Sequence, residues 1–195
     1  MSFQTVFQRY ELKYLLTQEQ KKKILQAMAP YMELDQYGRT TIRNLYFDPG
    51  NYRLARHSIE KPSYKEKLRV RSYSQADPES PVFVELKKKY RNVVYKRRIA
   101  LPEKEAMEWL QGGSCSQDVQ ISREVDYFLS YYRNLAPVVF LSYEREAFFS
   151  EERIYKTSFS KYGTAYQSMI YPGLVQPVYA KATEPGTVRE AVCYG

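Results

Sequence analysis

Five segments of this chain repeat charged residues with a period of two, so that each offers one basic, acid-sprinkled face. In YKEKLRVRSY (64–73), Lys65, Lys67, Arg69 and Arg71 share one parity, while Glu66, Leu68, Val70 and Ser72 share the other. In an extended chain, side chains two apart point the same way, so four like charges lie along one face. The same parity groups Arg9, Glu11 and Lys13 in VFQRYELKYLL (6–16), and Glu85, Lys87 and Lys89 in VFVELKKKYR (82–91). It also groups Lys96 with Arg98 in NVVYKRRIAL (92–101), and Tyr143 with Arg145 in PVVFLSYEREAFF (137–149). Two architectures accommodate such strands. In one, the basic faces are solvated and the apolar faces form a sandwich or a helix-backed core. In the other, the strands close into a barrel whose inward side chains surround an anion.

Between these strands the chain reads as a mixture of helices and turns. Thr17 and Gln20 make a capping-box start for a helix, TQEQKKKILQAMAP, that Pro30 stops. TTIRNLYFD (40–48) is a strand ended by the turn signal DPGN, and NYRLARHSIE is a short helix. YKEKLRVRSY and VFVELKKKYR form a hairpin pair across the loop QADPESP. PEKEAMEWLQ and SREVDYFLSYYRNL are helices, the latter with Val125, Phe128, Leu129 and Tyr132 at helical spacing.

The 195 residues are enough for one domain, or one domain and a tail, and 44% hydrophobic residues supply a core. A net charge of +8 favours an anionic partner such as nucleic acid, a phosphorylated metabolite or membrane headgroups. With two cysteines lacking metal-ligand spacing and one histidine, neither a zinc site nor a disulfide framework is expected, which suits a reducing cytoplasm. The N-terminus does not read as a signal peptide, and no window approaches a membrane span. His57 reads as a surface or packing residue, Trp109 with Tyr127, Tyr131 and Tyr132 as helix-face packing, and Lys21–Lys23 as a solvated helix face. Arg97 is expected to be exposed, and Arg123 to pair only with Glu124.

The motifs FQRYELKYLL, RNLYFD, YKEKLRVRSY, VFVELKKKY, VVYKRRIAL and LSYEREAFF, in this order across about residues 3–150, resemble the VTC (vacuolar transporter chaperone) domain of polyphosphate polymerases. That family belongs to the triphosphate tunnel metalloenzymes. The resemblance implies an α+β fold, an antiparallel barrel-like tunnel with surrounding helices, over residues 1–155. It implies that Lys13, Arg69, Arg71, Lys87, Lys96 and Arg145 bind phosphate, with Arg69, Arg71, Lys87 and Arg145 holding the nucleotide's phosphates. A Mn or Mg ion is implied too, with Glu85 and Glu11 as the carboxylates on the charged faces and countercharge for their basic neighbours as the competing role. The implied partners are ATP or another nucleoside triphosphate and inorganic polyphosphate, with no specific nucleic acid and with room for a membrane-protein partner.

Residues 156–195 depart from the pattern. They lack the arginine-bearing strand, the I-R-x-R segment and the closing Glu- and Lys-bearing strand, and they carry Pro172, Pro177 and Pro185. They are expected to be a divergent tail, shifted in frame or truncated, that forms no continuous part of the main sheet and leaves the tunnel incomplete at its C-terminal strands. The leading function is transfer of a nucleotide's terminal phosphoryl group to a growing polyphosphate chain. The alternatives are a non-catalytic polyphosphate- or triphosphate-binding module, a triphosphate hydrolase, and a single-strand nucleic-acid binder with exposed aromatics.

Overall fold

A computed structural model describes residues 6–7, 11–91, 93–150, 156–161, 165–171, 174–179 and 189–194, with the backbone alone at 6–13, 156 and 161–194. In chain order the elements are β1 (Val6–Phe7), β2 (Glu11–Leu16), α1 (Gln18–Met28), β3 (Met32–Pro49), α2 (Arg53–Ile59), β4 (Tyr64–Ser72) and β5 (Pro81–Tyr90). They continue with β6 (Val93–Pro102), α3 (Glu103–Leu110), α4 (Gln120–Tyr132), β7 (Leu135–Ser150), β8 (Lys156–Lys161), β9 (Ala165–Tyr171), β10 (Leu174–Tyr179) and β11 (Arg189–Tyr194). The fold is α+β, with antiparallel ladders throughout.

The strands follow the order β1-β6-β5-β4-β3-β7-β8-β11-β2, with β9 attached to β7 and β10 to β9. Nine strands laid flat would separate the ends of that path by about 38 Å. Yet β1 and β2 occupy the two ends and are joined through residues 8–10, which reach at most about 14 Å. The sheet therefore has to curl until its ends approach. Among the described residues no ladder joins β1 to β2, so the barrel is not closed by hydrogen bonds. The segment 6–16, expected as a single strand, is thus divided between the two ends of the sheet.

One face of the curled sheet is apolar and carries helices. Leu68 and Val70 of β4, Val82, Val84 and Leu86 of β5, and Ile99 and Leu101 of β6 are buried against Ala106, Trp109 and Leu110 of α3 and Ile121, Val125 and Phe128 of α4. Trp109 packs here with no exposure, and its indole donates to Asp126 Oδ1 at 2.7 Å. Tyr127 and Tyr131, expected to pack, instead stack on each other in solvent, and Tyr132 is half-buried. Asp48, itself buried, ends the RNLYFD strand by accepting from the backbone N–H of Leu54 at 2.9 Å and Ala55 at 2.8 Å. The strand's last carboxylate thereby caps α2, because orphan N–H groups at a helix start need an acceptor. At α1 the capping box of Thr17 and Gln20 forms as expected.

Three sequence expectations need correction here. Lys21 is buried, with Nζ 2.5 Å from Glu146 Oε2 and above the Phe159 ring, so it bolts α1 to β7 and β8 instead of lying in solvent. Arg123 pairs with Asp118, whereas Glu124 takes Arg97 and Lys88. The described residues of 156–195 are not outside the main sheet: β8 lies between β7 and β11, and β11 pairs with β2. Proline does not prevent this, because Pro177 sits in β10, which among the described residues pairs only with β9 and so tolerates a missing donor. Pro172 and Pro185 fall between strands in the sequence, outside the described residues.

Phe159 of β8 is 2% exposed and meets Phe148 edge-on. Phe159→Ala is therefore expected to destabilise the protein by about 3–5 kcal/mol. Urea unfolding of the two proteins measures this, and unchanged stability would show that the tail contributes nothing to the core.

Candidate anion-binding site

The other face of the sheet carries the charges, in rows fixed by strand register. One row runs Asn44, Arg71, Phe83, Ala100 across β3, β4, β5 and β6. The next runs Tyr46, Arg69, Glu85, Arg98, and below it Lys67, Lys87 and Lys96 stand side by side. No described helix covers these residues, yet the side chains of Arg69, Arg71 and Lys96 are only 15%, 9% and 20% exposed. The curl of the sheet encloses them.

At the centre is Glu85, with a fully buried side chain. Its Oε2 accepts from Arg69 Nε at 2.8 Å and lies 2.7 Å from Arg69 Nη2, and its Oε1 lies 2.6 Å from Lys96 Nζ. Arg71 Nε is 3.7 Å from the same Oε2. Arg69 Nη1 donates to the Tyr46 hydroxyl at 2.8 Å, and Arg71 Nε donates to Asn44 Oδ1 at 3.0 Å. Arg98 lies over the Phe83 ring, 4.8 Å from its centroid.

Electrostatics follow from this geometry. Burial alone would raise the Glu85 carboxyl, but Arg69, Arg71 and Lys96 together outweigh it and hold the group down at about 2. Burial lowers Lys96 to about 8; Glu85 opposes that shift, and Arg71 and Arg69 add to it. Arg69 is held above its ordinary value: burial acts against the charged form, but Tyr46 and Glu85 overcome it.

The structure brings Arg69, Arg71, Glu85 and Lys96 into direct or near contact and sets Lys87 beside Lys96 in register. Arg145 of β7 pairs with Thr40, on the same face as Asn44 but four residues along β3. Its Nε is buried without a hydrogen-bond partner among the described residues. Lys13 lies in β2, opposite Val192, and β2 begins at Glu11; the side chains of both fall outside the described residues. Asn44 and Tyr46 were not singled out in the sequence, although RNLYFD already separates them by parity from the apolar Leu45 and Phe47. Arg97, on the opposite parity, is half-buried and bonded to Glu124 instead of exposed. His57 is half exposed, its Nε2 3.1 Å from the Tyr64 carbonyl oxygen.

The residues in place do not suit a divalent ion at Glu85. A metal needs free carboxylate lone pairs, and both Glu85 oxygens face cations within 2.8 Å. Among the described residues no group of three His, Cys, Asp or Glu gathers as a metal site. The chemistry this face offers is recognition of a multiply charged anion by guanidinium and ammonium donors.

A model of the VTC domain matches residues 8–155. No curated protein matches the sequence. Among solved structures, a Bacillus halodurans protein described provisionally as an adenylate cyclase superposes with a TM-score of 0.58 at 17% identity, covering 98% of this chain and 82% of that one. A Vibrio parahaemolyticus protein with the same provisional description gives a TM-score of 0.43 at 10% identity, over 94% of this chain and 75% of that one. A Pyrococcus horikoshii protein gives 0.42 at 12% identity, over 95% and 77%. The first of these supports a shared fold.

A carboxylate held at about 2 in the fold, against 4.5 ordinarily, stabilises the protein above pH 4.5, and that contribution is lost as pH falls toward 2. Its size is on the order of 3 kcal/mol. Glu85→Gln should consequently be less stable than the parent at pH 6, with the gap narrowing by pH 2.5. Denaturant midpoints at both pH values check it; a gap independent of pH would mean that the charge on Glu85 is not what stabilises.

Proposed function

The chain belongs to the VTC-domain family, and from that premise we propose that its enclosed basic face binds the phosphates of a nucleoside triphosphate and of inorganic polyphosphate, and transfers the terminal phosphoryl group from one to the other. The observation that carries this reading is the set of cations on a helix-free face: Arg69, Arg71 and Lys96 around Glu85, with Lys67 and Lys87 in the adjoining row. A helix-covered face would not need them, and an open solvated face would not bury them.

In the transfer, an oxygen at the end of the polyphosphate chain attacks the γ-phosphorus. The bond from that phosphorus to the β–γ bridging oxygen breaks, and the nucleoside diphosphate leaves with the electron pair. Charge on the equatorial oxygens is spread in the transition state, so a protein accelerates the step mainly by alignment and by preorganised positive charge. Arg71 supplies a planar guanidinium, and Lys87 and Lys96 supply ammonium charges beside it. Arg145, with its buried Nε, holds phosphate further along the same face, and Lys13 completes the set. A Mn or Mg ion, if required, would come bound to the triphosphate and would offset its charge, since Glu85 is committed to Arg69 and Lys96.

Cytoplasmic placement, with a membrane-protein partner for the product, belongs to the same proposal; no described helix is long and apolar enough to cross a membrane. We also propose that the family-derived part ends at residue 155, where the domain match ends, and that 156–195 is a divergent continuation. The genomic DNA around the Lys156 codon tests this, since an intact reading with no family-like alternative frame would remove a frame shift. A binding module without catalysis is the second reading, favoured by the commitment of Glu85 to three cations.

Incubation of the purified chain with ATP and Mn or Mg separates the readings. Polyphosphate and ADP formed together support the transferase. ADP with free phosphate alone would make it a hydrolase, and tripolyphosphate binding without turnover would leave the module.

Arg71→Ala should weaken tripolyphosphate binding by about 1.5–3 kcal/mol, the scale of a charge-assisted hydrogen bond. Arg97→Ala, which removes the same charge from the opposite face, should cost less than about 0.5 kcal/mol of binding. Isothermal titration at two salt concentrations decides between these and equal losses, which would reduce the site to diffuse attraction by a basic protein.

A further inference from the structure

Arg69 and Arg71 are two residues apart on one face, yet their guanidinium groups are used differently. Every nitrogen of the Arg69 group has a protein partner: Nε and Nη2 meet Glu85 Oε2 at 2.8 and 2.7 Å, and Nη1 meets the Tyr46 hydroxyl at 2.8 Å. Its Cζ lies over the Tyr46 ring, 5.6 Å from the centroid. Offering the Nε–Nη2 edge to a phosphate would mean opening a buried ion pair, which leaves Glu85 without its closest arginine. Arg71 commits only Nε, to Asn44 at 3.0 Å, while Nη1 and Nη2 make no hydrogen bond to the described residues. Its guanidinium extends over Tyr73, 5.9 Å from the ring centroid. Lys96 is anchored by Nζ against Glu85 Oε1 at 2.6 Å. Glu85 has no exposed side-chain surface, so it stands beneath these cations and not beside an incoming anion.

We propose that Glu85 is a positioning residue for anion binding: it locks Arg69 as an internal strut and thereby presents Arg71 and Lys96 as the pair that grips phosphate. The proposal rests on the anion-binding reading of this face and assigns separate duties within it. It differs in sign from the simpler idea that Glu85 only offsets surplus positive charge. If Glu85 merely subtracted from the field, neutralising it would tighten anion binding. If it positions, neutralising it weakens binding even though the net charge becomes more positive.

The test uses the full chain, with tripolyphosphate and inorganic phosphate as probes in titration calorimetry well below the melting temperature of each variant. Glu85→Gln is expected to weaken tripolyphosphate binding about tenfold, the effect of losing roughly one well-placed charge-assisted contact. It is also expected to narrow the preference for tripolyphosphate over inorganic phosphate, a ratio that simple loss of folded protein would not move. Glu85→Asp keeps the charge but withdraws the carboxylate by one methylene, and should weaken binding as well. Should Glu85→Gln fail to fold, Glu85→Asp decides together with two further variants. Arg69→Met should lower the melting temperature more than Arg71→Met, and Arg71→Met should lower tripolyphosphate affinity more than Arg69→Met. Tighter binding by Glu85→Gln, or wild-type affinity in Glu85→Asp, would overturn the positioning role while leaving the anion site intact. Equal affinity losses for the two methionine variants would overturn the division of duties. Absence of tripolyphosphate binding by the wild type would overturn the anion reading itself and the proposal with it.

Discussion

Glu85 is a buried anion in the middle of a cationic sheet face, and the rest of the described face depends on it. Its strand neighbours in register are Arg69 on one side and Arg98 on the other, while Lys96 approaches one carboxylate oxygen and Arg71 stands near the second. Four basic groups enclosed by a curled sheet would repel one another and would each bear a desolvation penalty. One buried carboxylate converts that repulsion into a network, and the downward shift of Glu85 to about 2 measures how strongly its neighbours favour its charge. The network does not neutralise the site. Glu85 contributes one negative charge against three cations in contact or near contact, so a net positive charge remains for an incoming polyanion.

That arrangement is possible only because the opposite face of the same strands is mainly apolar where the helices sit, and its charged residues Glu66, Lys88 and Arg97 are tied to α4. Leu68 and Val70 alternate with Lys67, Arg69 and Arg71, and Val84 and Leu86 alternate with Glu85 and Lys87. A slip of one residue in any of these ladders would exchange the two faces. It would drive arginine into the helix layer and valine into the cationic face. The hydrophobic core under α3 and α4 thus sets the register that gathers the cationic side chains.

What the sequence disclosed follows from which interactions are local. The period of two in YKEKLRVRSY, VFVELKKKYR and NVVYKRRIAL is a local signal, and it placed Lys67, Arg69, Arg71, Lys87, Lys96 and Arg98 on one face. The capping box at Thr17 is equally local. The burial of Lys21 was hidden because its partner Glu146 is 125 positions away, so a run of three lysines on a helix gave no sign that one of them turns inward. The incorporation of β8 and β11 was hidden for a related reason: prolines signal a break, but Pro177 lies on a strand paired, among the described residues, along one edge only. The use of Glu85 was half legible. Its position among basic residues was visible, whereas the choice between metal ligand and countercharge depends on distances that parity does not contain.

Strand β6 shows how the two faces are tied together. Lys96 reaches Glu85, Arg97 turns the other way to Glu124 of α4, Arg98 returns to the cationic face over Phe83, and Ile99 enters the core. Four successive residues therefore connect the cationic network, the α4 ion pair and the hydrophobic core through one segment of strand. Arg97 and Lys88 both hold Glu124, so α4 is fastened to β5 and β6 by charge as well as by Val125 and Phe128. Loosening α4 would remove the packing that keeps β5 and β6 in register, and the row Lys67, Lys87, Lys96 would lose its alignment with Glu85. The outer helix layer, which touches no phosphate in this reading, is thus part of what orders the cations that do.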